Sequence, residues 1–140
     1  MNYSRRILIF VVCVFLVFAV AYLASNPVSN SKEALSQKVH KEWEARANTD
    51  WGVVYDMTTD EFKKKVRRDM FITRANIRVE KFSVKEVEVL ESGKEGRAVI
   101  DYTMNQMGFK FDTTVKEKWV WKDGEWRLNL AAIISPFGKN

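Results

Sequence analysis

Two carboxylates and one histidine are the side chains of this sequence whose type and setting could support catalysis. Glu117 alternates with Val115 and Trp119, so these side chains share one face of a predicted strand. If that face is buried, Glu117 lies among aromatic rings, and desolvation raises its pKa towards the range of a general acid or base. The alternatives are an ion pair with Arg127 or Arg97 on neighbouring strands, or a position at a strand edge outside the core.

Asp56 and His40 are weaker candidates. Asp56 lies near the end of a predicted helix, where ending that helix competes with a role as a base. His40 stands beside Val39, off the apolar stripe of the first predicted helix, which favours a surface position. It is the only histidine and Cys13 is the only cysteine, which excludes an imidazole cluster, a cysteine-based metal site and an internal disulfide. We therefore expect no metal and no cofactor, and no catalytic residue beyond the weak candidates Glu117 and Asp56.

Three helices come first among the elements that must position these residues. Leu35, Val39 and Trp43 recur every fourth residue, which predicts an amphipathic first helix. Capping signatures at residues 49–50 and 58–61 then predict two shorter helices.

About four antiparallel strands follow a predicted helical turn and loop at residues 69–76. The alternation in residues 77–89 changes parity between 79 and 82 and again between 84 and 87, which indicates bulges in one strand. Turn sequences at 92–96, 106–108 and 123–124 separate the later strands. Helices followed by such a sheet predict an α+β domain, with the long helix packed across one sheet face.

The N-terminal segment reads as a membrane anchor. The 18 uncharged residues 7–24 would span about 27 Å as a helix, close to the thickness of a bilayer core. Arg5 and Arg6 flank this run and favour a cytoplasmic N-terminus. A cleaved signal peptide is the alternative, because residues 19–21 satisfy a small-x-small cleavage rule. The predicted organisation is an anchor at 1–24, a linker at 25–30, a folded domain at 31–130 and an apolar tail at 131–140.

This organisation predicts a single-pass protein of a bacterial inner membrane, with the folded domain on the periplasmic or extracytoplasmic side. Four large side chains lie along one side of the predicted anchor helix, at spacings of four, three and four residues. They either face lipid or contact a partner's helix; they are Val11, Phe15, Phe18 and Tyr22.

The charge distribution argues against nucleic acid as a partner. The formal net charge is +5, and Arg5 and Arg6 account for two of these charges. The rest of the chain is then about +3, and its basic residues are spread out, whereas a nucleic-acid binder concentrates them on one face. The densest run, at residues 63–68, is interpreted as a solvated helix face, with a basic contact surface as the alternative.

Two stretches resemble one family. Residues 42–66 (EWEARANTDWGVVYDMTTDEFKKKV) and the ending at 116–130 (KEKWVWKDGEWRLNL) are similar to members of the nuclear transport factor 2-like superfamily, the cystatin-like cone of SnoaL-like proteins. The resemblance implies a sheet that curls around the first helix and leaves a pocket at the wide end. The residues that would line the pocket, or else form plain core, are Trp43, Tyr55, Phe62, Phe82, Tyr102, Phe111 and Trp119.

The same resemblance raises the chemistry of the steroid isomerases, which use an Asp base with a Tyr and a protonated Asp as donors. Asp56, Tyr102 and Asp101 offer these residue types. Asp101 and Tyr102 are adjacent on a predicted strand, however, so they point to opposite faces and cannot line one pocket. The superfamily also contains non-catalytic binding and assembly modules, so the fold alone does not decide the function.

The leading functional hypothesis is a membrane-anchored, non-catalytic interaction module: an accessory or assembly subunit of a membrane protein complex, or a homodimer formed through the sheet. Met104, Met107 and Phe109 cluster around one predicted hairpin end, and Phe137 lies in the tail; these are the candidate contact residues. The alternative is a small-molecule-binding or enzymatic pocket protein, isomerase-like or hydrolase-like.

Overall fold

A computed structural model describes residues 29–75 and 77–130. These residues form an α+β domain with four helices followed by four antiparallel strands, which confirms the predicted fold class at that level. The sequence predicted three helices, so that number is wrong by one. The elements are α1 Lys32–Ala47, α2 Trp51–Asp56, α3 Asp60–Lys65, α4 Arg68–Arg74, β1 Arg78–Val89, β2 Glu95–Gln106, β3 Phe109–Lys122 and β4 Glu125–Leu128.

The first three helices begin at side-chain caps. The hydroxyl of Ser31 accepts a hydrogen bond from the N–H of Ala34 at 3.2 Å, at the start of α1. The carboxylate of Asp50 and the hydroxyl of Thr59 play the same part for α2 and α3. Each cap satisfies a backbone N–H that has no partner inside the helix, which is why these starts were readable from the sequence.

The fourth helix has no such signal. Arg67 precedes α4 and makes no capping hydrogen bond through its side chain. Instead, the ring of Phe71 packs 5.6 Å from that of Tyr55 and 5.8 Å from that of Phe62. Tertiary packing therefore stabilises this helix, and a helical turn with a loop was the wrong prediction because packing is not visible in local sequence.

The sheet has the strand order β1-β2-β3-β4, with each strand joined to the next by a hairpin. Pairing of β1 with β2 shifts register between Val79 and Lys81 and between Val84 and Glu86. These shifts lie where the sequence alternation changes parity, so the predicted bulges are confirmed.

Helix α1 lies across one face of the sheet, here called the core face, and the opposite face is called the outer face. Leu35, Val39 and Trp43 of α1 are buried there together with Trp119. Gly96 permits the close approach, because a Cβ at this position would lie 2.4 Å from Cδ2 of Leu35.

Within residues 29–75 and 77–130, no helix is long and apolar enough to cross a membrane. The anchor predicted at residues 1–24 lies outside the described residues, and so does the tail at 131–140 with Phe137. The same holds for the residues proposed along the anchor helix, namely Arg5, Arg6, Val11, Phe15, Phe18 and Tyr22.

Candidate functional site

The most unusual side chain of the core is Glu117 on β3, which is 1% exposed. It faces α1 from a position paired with Ala98 on β2, where the small neighbour leaves room for a longer side chain. Both of its carboxylate oxygens accept hydrogen bonds from indole nitrogens. Nε1 of Trp43 donates to Oε1 at 3.1 Å, and Nε1 of Trp119 donates to Oε2 at 3.1 Å.

A second carboxylate and one guanidinium complete the group. Nε of Arg46 donates to Oε1 of Glu42 at 2.5 Å, one turn back along α1. Nη2 of Arg46 lies 3.6 Å from Oε1 of Glu117. The guanidinium carbon is 4.8 Å from the ring centre of Trp43 and 5.8 Å from that of Trp51 at the start of α2. This Glu42–Arg46–Glu117 cluster therefore ties α1, α2 and β3 together.

Both acids of the cluster are pushed towards their protonated forms. Burial, followed by repulsion from Glu42, raises the pKa of Glu117 to about 8, although Arg46 and the two indole donors act in the opposite direction. Burial likewise raises the pKa of Glu42, against the attraction of Arg46. Oε2 of Glu42 is buried and has no hydrogen-bond partner among the described residues. The cluster can hold a proton, but the burial of Glu117 leaves no route for its carboxylate to touch a substrate.

The environment expected for Glu117, buried among aromatic rings with a raised pKa, is therefore present. Its catalytic role stays a prediction. The ion pairs suggested for it are wrong, because Arg97 pairs with Glu88 and Arg127 with Glu125. Its cationic neighbour is Arg46, which the sequence reasoning missed.

A signal for this partner was present in the sequence. Glu42 and Arg46 follow the buried Val39 by three and seven residues, which places all three along one side of α1. Charged residues at such positions are easily taken for solvated neighbours of the apolar stripe. A Glu and an Arg one turn apart on the buried side of a helix indicate a buried ion pair when the facing strand also carries a charged residue, here Glu117.

The residues proposed to line a pocket divide into three groups. Trp43, Tyr55, Phe62 and Trp119 are buried core residues, and Phe82 and Tyr102 are partly buried against them. The exception is Phe111, which is 47% exposed and lies outside the core.

The isomerase-like trio is not brought together. Asp56 is exposed at the end of α2 and pairs with Arg68, its Oδ1 lying 3.2 Å from Nε. Asp101 accepts a hydrogen bond from Thr114 at 2.6 Å on the outer face. Tyr102 points to the core face, where its ring centre is 4.8 Å from that of Trp43. The opposite directions of Asp101 and Tyr102 are those predicted from their adjacency on a strand.

The outer face carries a shallow depression of about 460 Å³ around Asp101, Thr103 and Asp112. Thr103 donates a hydrogen bond to Asp112, as Thr114 does to Asp101, so each hydroxyl satisfies a carboxylate. Among residues 29–75 and 77–130, no three His, Cys, Asp or Glu side chains come together in a way that would hold a metal ion.

The end of the β2–β3 hairpin is apolar and open. Met107 is 92% exposed, Phe109 68% and Phe111 47%, and Met104 beside them is half-buried. Phe109 and Phe111 belong to the core face of β3, but they lie beyond the region that α1 covers. These four residues are called the hairpin-end surface below. They include three of the four predicted contact residues, while Phe137 lies outside the described part of the chain.

Comparison with known proteins identifies a fold but no family. No family model matches the chain, and no curated protein matches it. A SEC-C motif containing protein from Rhodopseudomonas palustris has a similar solved structure, with a TM-score of 0.56 and 17% identity over 76% of this chain and 81% of that one. The intermembrane space region of the chloroplast protein ARC6 aligns with a TM-score of only 0.34 and 12% identity, over 71% of this chain and 92% of that one.

These comparisons correct the family inferred from residues 42–66 and 116–130. The fold match is to a SEC-C motif containing protein and not to a nuclear transport factor 2-like protein, so that assignment is wrong. The two stretches contain helix caps, buried helical residues and an aromatic closing hairpin. Different α+β domains share these features because they pack helices on sheets in similar ways. At 17% identity the match carries the fold alone.

Proposed function

We propose that this protein is a non-catalytic interaction module that binds another protein through the hairpin-end surface. The observation that carries the proposal is the exposure of Met107 and Phe109 at 92% and 68%. Exposure of apolar side chains to water is unfavourable relative to their burial against a partner. A cluster of exposed apolar side chains therefore marks a contact site. Methionine and phenylalanine also adapt well to a partner's groove.

The position of this surface supports a partner held away from the chain's N-terminus. Nδ2 of Asn30 donates a hydrogen bond to the carbonyl of Gly93 at 2.9 Å, so the first described residues lie beside the β1–β2 turn. The hairpin-end surface is at the other end of β2, a 12-residue strand about 40 Å long. With residues 1–24 as the proposed inner-membrane anchor and a short linker after them, the surface would face away from the bilayer.

The outer face is a poorer contact surface for a second copy of the chain. Lys116 and Lys118 of β3 project there beside Arg97 of β2. Neither lysine has a carboxylate within 4 Å among the described residues. Burying these two lysines against a second copy would cost desolvation free energy, which argues against a homodimer through the outer face.

The size of the hairpin-end surface also favours a different protein as its partner. Its three exposed side chains are far fewer than the roughly 20–30 residues per side of a stable protein–protein interface. A small apolar protrusion suits insertion into an apolar groove of a larger protein, with the Lys110–Glu80 ion pair beside it as part of a polar rim.

Co-purification of the tagged full chain from detergent-solubilised membranes tests this proposal. We expect a partner that co-purifies with the wild type in a constant ratio to this chain. The control variant Met70→Ser removes a different exposed apolar side chain, which is 40% exposed on α4, and should retain this partner. The same partner should be lost with Phe109→Ser. Retention in both variants, or recovery of a homodimer alone, would overturn the proposal.

A small-molecule site is the second candidate, and the raised pKa of Glu117 is the observation in its favour. Its carboxylate is enclosed by two indoles and Arg46, so a ligand would have to displace α1. Binding of an apolar ligand that Glu117→Gln abolishes, in a variant that stays folded, would make this candidate the better one.

A further inference from the structure

The Glu42–Arg46–Glu117 cluster has an unbalanced charge. It contains two carboxyl groups and one guanidinium, so it carries a net charge of −1 when both acids are ionised. Glu42 is 0% exposed and Glu117 1%, and an excess charge at such depth is strongly disfavoured. One proton on either acid makes the cluster neutral.

The contacts of the two acids are also unequal. Glu117 accepts two indole hydrogen bonds and lies near Arg46, whereas Glu42 is bonded through Oε1 alone and its Oε2 has no partner among the described residues. A buried carboxylate oxygen without a donor is a costly arrangement, which a proton relieves. Because the acids interact, the proton belongs to the pair and not to one residue.

No other charge in the described part of the chain compensates the pair. Arg46 of α1 is the cation that acts on Glu117, and Tyr102 is the titratable group that reaches the cluster from β2. Lys116 and Lys118 flank Glu117 on β3, but alternation points them to the outer face. From α2 the Trp51 ring reaches the cluster.

We propose that the Glu42–Arg46–Glu117 cluster is a proton-held latch: at neutral pH the two acids keep one proton, and its loss at alkaline pH loosens α1 from β3. The latch joins the last turn of α1 to the middle of the sheet, and Trp51 extends it to α2. It is independent of the hairpin-end surface, so either proposal can fail without the other.

The sign of the pH dependence follows from the raised pKa values. Burial and the neighbouring Glu42 raise the pKa of Glu117, as one member of this pair, to about 8 in the folded protein, against about 4.3 for an unfolded glutamate. Between these values the folded state holds a proton that the unfolded state lacks. Stability is therefore fully present below the unfolded pKa, and the unfolding equilibrium constant rises about tenfold per pH unit until the folded pKa is passed.

Glu42→Gln is the variant that tests the latch. The amide oxygen can still accept from Arg46, the amide nitrogen replaces the unpartnered Oε2, and the remaining Glu117–Arg46 pair is neutral without a proton. Tryptophan-monitored unfolding of the full chain in detergent micelles is measured from about pH 5 to 9. The wild type should show the tenfold slope up to about pH 8 and level off above it, and the variant should show a much flatter profile. Glu44→Gln, an exposed change on the same helix, should keep the wild-type slope. Parallel profiles for Glu42→Gln and wild type would overturn the proposal.

A titration of the folded wild type keeps the test decisive even if Glu42→Gln fails to fold. The indoles of Trp43 and Trp119 are bonded to Glu117, so their fluorescence reports its ionisation. A single step with a midpoint near pH 8 is expected without unfolding. Constant fluorescence from about pH 6 to 9 would show that the cluster loses no proton in this range, which would overturn the proposal.

Discussion

The two ends of β3 differ in how the side chains on its core face are covered. Towards the end of the strand, a carboxylate at Glu117 is sealed beneath α1. At the start, Phe109 and Phe111 of the same face stand open to solvent. A buried charge and exposed aromatic side chains both run against the usual distribution of residues, and each carries a cost in free energy.

The difference follows from the lengths of the elements. Helix α1 has 16 residues and is about 24 Å long, whereas β3 has 14 residues and is about 46 Å long. The helix covers the sheet from Leu35, beside Gly96, to Trp43, beside Tyr102, and ends one turn later at Ala47. The covered end is where interactions stabilise the fold, and the uncovered end is where a partner can add to it.

The largest effect should come from removing the cation at the covered end. Arg46→Met leaves two buried acids with no opposite charge nearby, and we expect a loss of about 3–5 kcal/mol in the free energy of unfolding near pH 8. The loss should be smaller near pH 5, because the buried acids are more fully protonated there and less negative charge is left without a cation. Denaturant unfolding at both pH values measures it, and an equal loss at the two would contradict the proposed charge imbalance.

A smaller effect is expected where α1 touches the sheet. Gly96→Ala forces Leu35 to move and should cost about 1–3 kcal/mol. Leu35→Ala in the same chain should recover part of that loss, because it removes the atom in conflict. Gly108→Ala at the open end meets no atom within 4 Å but has a φ of 86°, so its cost comes from the backbone, and Leu35→Ala should not recover it. Strictly additive unfolding energies for Gly96→Ala and Leu35→Ala would argue against the close contact.

The smallest effect on stability is expected at the hairpin-end surface. Phe109→Ser removes a side chain that is 68% exposed, so the free energy of unfolding should change by less than about 0.5 kcal/mol. Thermal unfolding of the full chain checks this value. A loss of more than about 2 kcal/mol would mean that Phe109 is covered in the intact protein. The two ends of β3 would then not differ in exposure as described.

Much of the fold was readable because its signals are local. Caps at Ser31, Asp50 and Thr59 began three helices, and parity changes located the bulges of β1. The environment of one site residue, Glu117, was also predictable, because alternation along β3 places its side chain on the same face as Trp119. These features depend on neighbours within a few residues of each other.

The rest depends on how distant elements meet. Arg46 reaches Glu117 only because α1 packs across the core face of the sheet, to which β3 contributes a residue 71 positions further along the chain. Phe111 alternates like a core residue and is exposed because α1 ends before reaching it. The family assignment was wrong for a related reason. Helix caps and an aromatic hairpin were interpreted as a family signature, although several folds share the packing that produces them.

Site-specific photocrosslinking in intact cells tests whether the hairpin-end surface binds another protein. A benzophenone amino acid replaces Phe109 in one full-length chain and Met70, the exposed control on α4, in another. We expect one discrete adduct with another protein from position 109 and none from position 70. No adduct from position 109, or the same adducts from both positions, would contradict it.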